Sequence, residues 1–144
     1  MAMKISTVTV YACDMFNQPG RLSRALEALR NAGANLEFVI GRRVTERTSR
    51  VFVAPLKGAR QIRAAADVEF RPAKGMHVLR IEAPDAPGLG ATLTRAVADA
   101  NINIRGISAA AFKKLSVCYM AFATESDAKA AARVLRSLGR KRRP

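Results

Sequence analysis

Two junctions between a strand and a helix carry the residues whose types and spacing could do chemistry. Each has a short polar side chain, then proline and glycine, just before apolar residues at helical spacing: Asn17-Gln18-Pro19-Gly20 in the first half and Asp85-Ala86-Pro87-Gly88 in the second. Proline presets φ for the first helical turn, and glycine lets a ligand approach the backbone. The free N–H groups of a helix start favour an anion such as a carboxylate. The chemistry indicated is ligand binding.

An asparagine followed by an apolar residue comes after each predicted helix, where a further strand should begin. These pairs are Asn35-Leu36 and Asn103-Ile104, and at one constant offset they align together with the two Pro-Gly steps. A self-match at a fixed period sets the architecture of a chain, so the sequence predicts two similar modules in tandem. The asparagines could bond the backbone of their own turns, or they could hold the amino or carboxylate group of a ligand.

Other reactive residues do not form a recognisable site. His77 is the only histidine, and it shares a predicted strand face with apolar residues. Cys13 and Cys118 lie far apart and show no metal or redox spacing, which is typical of reduced, packed thiols. We therefore expect no catalytic residues, no metal site and no cofactor.

The positioning elements follow from the periodicity of apolar residues. Alternation predicts a strand over residues 5–12, and helical spacing then predicts a helix that ends near Gly33. Further strands are expected at 36–42, 48–54, 68–70, 76–82, 102–110 and 115–124, with helices at 59–66, 89–100 and 126–139 and a linker at 71–75. Each half reads β-α-β-β-α, the order of the ferredoxin-like split βαβ motif. The second half lacks sequence for a last strand, so it is either incomplete or borrows an edge strand.

At these residues the sequence resembles the ACT domain family, small regulatory modules that bind amino acids. The family pattern is Asp-x-Pro-Gly-x-Leu, a helix and then Gly-x-Asn-Ile, and Asp85, Pro87, Gly88 and Ile102-Asn103-Ile104 match it in the second half. The second half departs from the pattern where Gly90 follows Leu89 and where Asn101 occupies the Gly position, and in the first half Asn17 replaces the acid. The resemblance implies an α+β fold with two ferredoxin-like βαββαβ modules, at 1–72 and 73–139, and a basic tail at 140–144. It also implies antiparallel sheets paired side by side, with the helices on one face.

The same resemblance implies the site and its partners. In this family an amino-acid ligand sits between the strand-to-helix loop of one module and the neighbouring module, so the resemblance implies a site at each junction. The ligand-binding residues would be Asn17, Gln18, Pro19, Gly20, Asn35, Leu36, Asp85, Ala86, Pro87, Gly88, Leu89, Asn103 and Ile104. No catalytic domain is attached, so we expect a sensor that is not an enzyme and that acts on a protein partner or as a homodimer. A scaffold with decayed ligand sites is the structural alternative.

The charge of the chain supports a different reading. Lys and Arg number 25 against 11 Asp and Glu, a net charge of +14. Lys129, Arg133, Arg136 and Arg140 form a stripe on the last predicted helix, and Tyr11 and Phe52 could lie together on an open sheet face as a stacking platform for RNA. A solvated helix face is the commoner meaning of such a stripe, so nucleic-acid binding is the less favoured alternative. No long apolar run or signal segment is present, and we expect a cytoplasmic protein without membrane contact.

Overall fold

The computed structural model describes residues 2–141, in which two strands followed by one helix recur four times. In chain order they are β1 (Lys4–Val8), β2 (Tyr11–Phe16), α1 (Arg21–Asn31), β3 (Phe38–Arg43), β4 (Thr48–Ala54), α2 (Gly58–Asp67), β5 (Arg71–Pro72), β6 (His77–Pro84), α3 (Leu89–Asp99), β7 (Gly106–Phe112), β8 (Leu115–Phe122) and α4 (Glu125–Lys141). The strands form two four-stranded antiparallel sheets, and the α+β class with two ferredoxin-like modules is confirmed.

The chain divides into two compact units. The inner unit is Thr9–Lys74, and the outer unit combines Met1–Val8 with Gly75–Pro144. The inner sheet has the order β3-β4-β2-β5, and the outer sheet has the matching order β7-β8-β6-β1. The two sheets therefore repeat one topology, with β5 and β1 in equivalent edge positions.

In the inner unit, one face of the sheet and the two helices α1 and α2 enclose the core. Leu29, Val53, Ala65 and Phe70 are almost fully buried in it. Neighbours in register lie on the same face of an antiparallel sheet, and successive residues alternate between faces. Tyr11, Cys13 and Met15 of β2 therefore face the core, and Asp14 lies on the opposite face.

In the outer unit, α3 and α4 cover the sheet over a core that includes Leu93, Val97, Met120, Phe122 and Leu135. The missing last strand is supplied by the N-terminus of the chain, because β1 pairs antiparallel with β6 from Lys4↔Glu82 to Val8↔Val78. The outer module is thus complete with a borrowed edge strand, as one of the two sequence-based alternatives proposed.

Several sequence-based element boundaries are wrong. The single strand over 5–12 is two strands, interrupted at Thr9 and Val10, and they belong to different sheets. Residues 1–8, which the sequence assigned to the first module, therefore complete the second. Alternation continued through the break, so the apolar pattern could not reveal it.

A second group of differences lies around α2 and α4. Residues 68–70 end α2 in a turn, with Glu69 at φ 69°, and the edge strand is Arg71–Pro72 in the predicted linker. The strand expected over 102–110 begins only at Gly106. α4 continues through Arg140 to Lys141, so the predicted tail begins as helix, and its last residues, 142–144, lie outside the described part of the chain.

Candidate ligand-binding site

The two junctions have the same backbone geometry. Gly20 (φ 89°) and Gly88 (φ 78°) both adopt the left-handed conformation and stand at the N-caps of α1 and α3. In the described residues no side chain caps either helix. Since a helix start has N–H groups without intrahelical acceptors, each junction offers donors to an anion. Residues 17–20 and 85–88 are all exposed.

Each junction is fixed to the hairpin of its own unit by an equivalent hydrogen bond. The Asn17 N–H donates to the carbonyl oxygen of Arg47 at 2.7 Å, and the Asp85 N–H donates to the carbonyl oxygen of Lys114 at 2.8 Å. Asn17 and Asp85 therefore each hold their junction to a hairpin through the backbone. This hydrogen bond does not depend on the side chain.

The two polar side chains behave differently. The Asn17 amide donates to the carbonyl oxygen of Glu46 at 3.3 Å, and its oxygen accepts from the Ser49 hydroxyl. The Asp85 carboxylate has no hydrogen bond or ion pair within residues 2–141. The side chain at position 85 is available to a ligand, whereas the one at position 17 is engaged by its own hairpin.

The asparagine pairs do not meet the junctions of their own units. Asn35 and Asn103 follow the C-terminal ends of helices that start at the junctions, and each of these helices has 11 residues. At a rise of 1.5 Å per residue, each helix separates its junction from the asparagine pair of the same unit by roughly 16 Å. Within one unit a single amino acid cannot contact both groups.

The apolar members of the predicted set serve the cores. Leu36 packs against the inner core, and Leu89 and Ile104 pack against the outer core. Asn35 lines a separate open cavity of about 410 Å³ beside the start of α2. The sequence thus grouped residues that the structure separates: some pack against the cores, and others lie in turns or on the exposed surface.

An open cavity of about 500 Å³ lies beside the first junction, entirely within the inner unit, and sequence reasoning did not find it. It runs along the edge of β2 between the start of α1 and the end of α2. Its lining is Cys13, Asp14, Met15, Phe16, Arg21, Arg24, Ala25, Thr48, Asp67, Val68 and Glu69. The reversal of sign between Arg21-x-x-Arg24 and Asp67-x-Glu69 was visible in the sequence, but the fold was needed to bring the two pairs to one place.

Two ionisable groups of this lining have shifted pKa values. Burial raises the pKa of the Cys13 thiol, the carboxylates of Glu69 and Asp14 raise it further, and Arg21 and Arg71 oppose the rise. The hydrogen-bonded Arg50 guanidinium, 2.6 Å from the carboxylate, holds the pKa of Asp14 below its usual value. Cys13 therefore remains a protonated packing residue at neutral pH and is a poor nucleophile.

The features that suggested nucleic-acid binding are weakened by the structure. Tyr11 pairs with Val53 in register and is buried, so it lies on the opposite face from Phe52, and the expected stacking platform does not exist. In the basic stripe Lys129 forms an ion pair with Glu125 at 2.9 Å, and Arg136 donates to the carbonyl oxygen of Ile5. Both contacts are those of an ordinary solvated helix face.

Neither a membrane-spanning helix nor a metal-binding cluster is present within residues 2–141. None of the helices within residues 2–141 has the length and apolar character of a membrane span. The same residues contain no group of three or more His, Cys, Asp or Glu side chains placed to hold a metal ion.

Comparisons with solved structures show where the fold recurs. The protein BT0572 from Bacteroides thetaiotaomicron superposes with a TM-score of 0.80 at 15% identity, covering 94% of this chain and 90% of that one. The ligand-free regulatory subunit of aspartate kinase from Thermus thermophilus gives 0.64 at 17%, covering 95% and 97%. The aspartate kinase of Clostridium acetobutylicum gives 0.60 at 16%, and there 92% of this chain covers 33% of the enzyme.

Sequence comparison matches a smaller part of the chain than structural comparison does. No curated protein matches the chain. Residues 77–140, which run from β6 into the last turn of α4 and include the second junction, match the model of the ACT domain family.

Proposed function

We propose that this protein is a regulatory sensor that binds a small molecule, an amino acid, at the second junction. The observation that carries the proposal is the ACT family match over 77–140, which contains the exposed loop Asp85–Gly88 and the uncapped start of α3. The fold shared with a regulatory subunit of aspartate kinase supports the same class of role.

The chemistry of the loop suits the two charged groups of an amino acid. The start of α3 presents N–H donors and the positive end of the helix dipole to a carboxylate. The Asp85 carboxylate, which has no partner within residues 2–141, would take the ammonium group. Gly88 leaves the approach open, because a Cβ there would meet no other atom within 4 Å. The first junction, Asn17–Gly20, offers the same backbone donors without the acid.

The two asparagine pairs lie away from the junctions. Asn35 with Leu36, and Asn103 with Ile104, stand at the far ends of the helices, so they would not contact the ligand molecule that a junction binds. Signalling follows from linkage: a ligand shifts a conformational or assembly equilibrium only by its difference in affinity for the two states. A protein partner or a second copy of the chain would read this shift, and the chain itself would supply no catalysis.

A thermal-shift screen of the full chain against the twenty L-amino acids tests the proposal. A ligand that binds only the folded state raises the unfolding temperature by mass action. Asp85→Asn should reduce the shift, and Asp99→Asn is the matched control, because it removes the same charge at the other end of α3, where Asp99 makes only an exposed pair with Arg95. Absence of any shift, or an equal shift in Asp85→Asn, would contradict the proposal.

A further inference from the structure

The edge cavity of the inner unit exists because β5 is too short to cover β2. The pairing of β5 with β2 is limited to Tyr11↔Pro72 and Ala12↔Arg71. Before this pairing the chain turns at Glu69, so the segment Cys13–Phe16 keeps an open edge next to the helices. The result is a space of about 500 Å³ with apolar walls from Cys13, Met15 and Val68. Pockets of a few hundred Å³ are the usual size for small ligands.

Two helix ends of opposite polarity meet at this cavity. α1 begins there, and α2 ends there, so the positive end of one helix dipole lies beside the negative end of the other. The side chains at both ends have the sign that the dipoles disfavour. The first turn of α1 has Arg21 and Arg24 and no acid. The end of α2 has Asp67, followed by Glu69, and its last turn has no base, although the Arg71 guanidinium donates to the carbonyl oxygens of Ala66 and Phe70 there.

These four charges are not neutralised by each other. No ion pair joins them among the described residues, and all four side chains are exposed. The Arg21 guanidinium lies over the Phe16 ring at 5.6 Å, and that of Arg24 lies beside the first junction, since a Cβ on Gly20 would be 3.8 Å from it. The cavity lining thus carries two cations from the start of α1 and two acids from the end of α2, besides Asp14, which is paired with Arg50.

Glu69 adds an independent indication. Its φ of 69° is left-handed, at the position after a helix where glycine or asparagine is usual. A glutamate there costs backbone energy that Gly or Asn would not, and its carboxylate faces the cavity. A residue that lowers stability twice, by conformation and by charge, is expected where a ligand uses it.

We propose that this cavity is a second ligand site, specific for a zwitterion of the amino-acid class. The ligand carboxylate contacts Arg21 and Arg24 at the start of α1, and its ammonium group contacts Asp67 and Glu69 at the end of α2. The inference rests on the proposed function for the class of ligand, and it assigns the inner unit a site that does not use the second junction. Binding places a carboxylate at the start of α1, which has no acid, and an ammonium group beside the acids at the end of α2, where Arg71 is the cation already present.

The test uses the full chain, the twenty L-amino acids and two charge-removing variants. For an amino acid that raises the unfolding temperature, calorimetry should show affinity about tenfold or more weaker in Arg24→Gln and in Glu69→Gln, the loss expected for a hydrogen bond to a charged group. Matched controls are Arg63→Gln and Glu27→Gln, exposed helix residues outside the cavity lining, which should leave affinity unchanged. The N-acetyl and the amide forms of the same amino acid, which each lack one charge, should bind at least tenfold more weakly.

Stability without ligand provides a second readout with the opposite sign. Glu69→Asn should raise the unfolding temperature of the free protein by about 2–4 °C, because asparagine tolerates the left-handed conformation and the acid leaves the helix end. A residue that only supports the fold would instead lower it. Weaker binding together with a more stable free protein supports the site. Undiminished binding in both Arg24→Gln and Glu69→Gln overturns it.

The outcomes also separate this inference from the proposed function. A shift that Asp85→Asn and the cavity variants each reduce supports both sites. A shift reduced in Asp85→Asn and unchanged in both cavity variants supports the second junction and overturns the cavity. A shift lost in the cavity variants and retained in Asp85→Asn supports the cavity and overturns the proposed site. No shift with any of the twenty amino acids overturns both.

Discussion

Asn17 is the residue whose replacement discriminates most sharply between architecture and ligand binding. It stands in the first junction where Asp85 stands in the second, so Asn17→Asp would give the first junction the acid that the second already has. The Asn17 side-chain NH₂ group, however, donates to the carbonyl oxygen of Glu46 at 3.3 Å, and the side-chain oxygen of Asn17 accepts from the Ser49 hydroxyl. An ionised aspartate keeps the second bond, loses the first and places a carboxylate oxygen against a carbonyl oxygen.

The expected cost follows from these two changes. A lost hydrogen bond contributes about 0.5–1.5 kcal/mol, and the repulsion at an exposed site adds a fraction of that, so Asn17→Asp should destabilise the protein by roughly 1–2 kcal/mol. For a chain of this length the unfolding temperature should fall by roughly 2–6 °C. The deficit should shrink below about pH 4, where a protonated aspartate can donate again.

Thermal unfolding of Asn17→Asp at neutral and acidic pH measures the effect. Asn35→Asp is the control, because it adds the same charge to the same unit at an exposed asparagine without a hydrogen bond to lose within the described residues. An Asn17→Asp protein as stable as the wild type would refute the structural role assigned to this side chain.

Three further predictions concern single residues. Gly90→Ala should stabilise the protein by up to ~1 kcal/mol, because Gly90 is helical and a Cβ there meets no atom within 4 Å; a lower unfolding temperature would contradict this. The Asp14–Arg50 pair lowers the pKa of Asp14, so its contribution is present above the ordinary pKa of 3.8 and lost as the pH falls through the lower folded value. Since both side chains are about half exposed, Asp14→Asn should cost no more than about 1 kcal/mol at pH 7, measured by urea unfolding, and this cost should shrink as the pH falls below 3.8. Burial raises the pKa of Cys118 to about 11, so iodoacetamide at about pH 8 should label it, by mass spectrometry, only after unfolding.

Much of the fold was predictable, because apolar periodicity in each half is strong and local. β4 lies where alternation placed it, and the helices lie within a few residues of their predicted bounds. The exchange of β1 was not predictable from periodicity, because a strand that alternates in the same way can pair in either sheet. The pairing of β1 with β6 had to be seen in the structure.

The candidate site was predictable at the junctions and not elsewhere. Pro-Gly before a helix defines the local backbone, and both glycines adopt the left-handed conformation that this motif requires. The distance from the junctions to Asn35 and Asn103 depends on where helix and strand stand in three dimensions, and aligned repeats do not reveal it. The edge cavity was missed because its basic residues, Arg21 and Arg24, and its acidic residues, Asp67 and Glu69, lie more than 40 residues apart in the sequence.

The central claim is that the second junction binds an amino acid through Asp85 and the start of α3. Calorimetric titration of the amino acid that gives the largest thermal shift into wild-type, Asp85→Asn and Asp99→Asn protein tests it most directly. The account predicts equal affinity in wild type and Asp99→Asn and at least about tenfold weaker binding in Asp85→Asn. Equal affinity in all three proteins would contradict it.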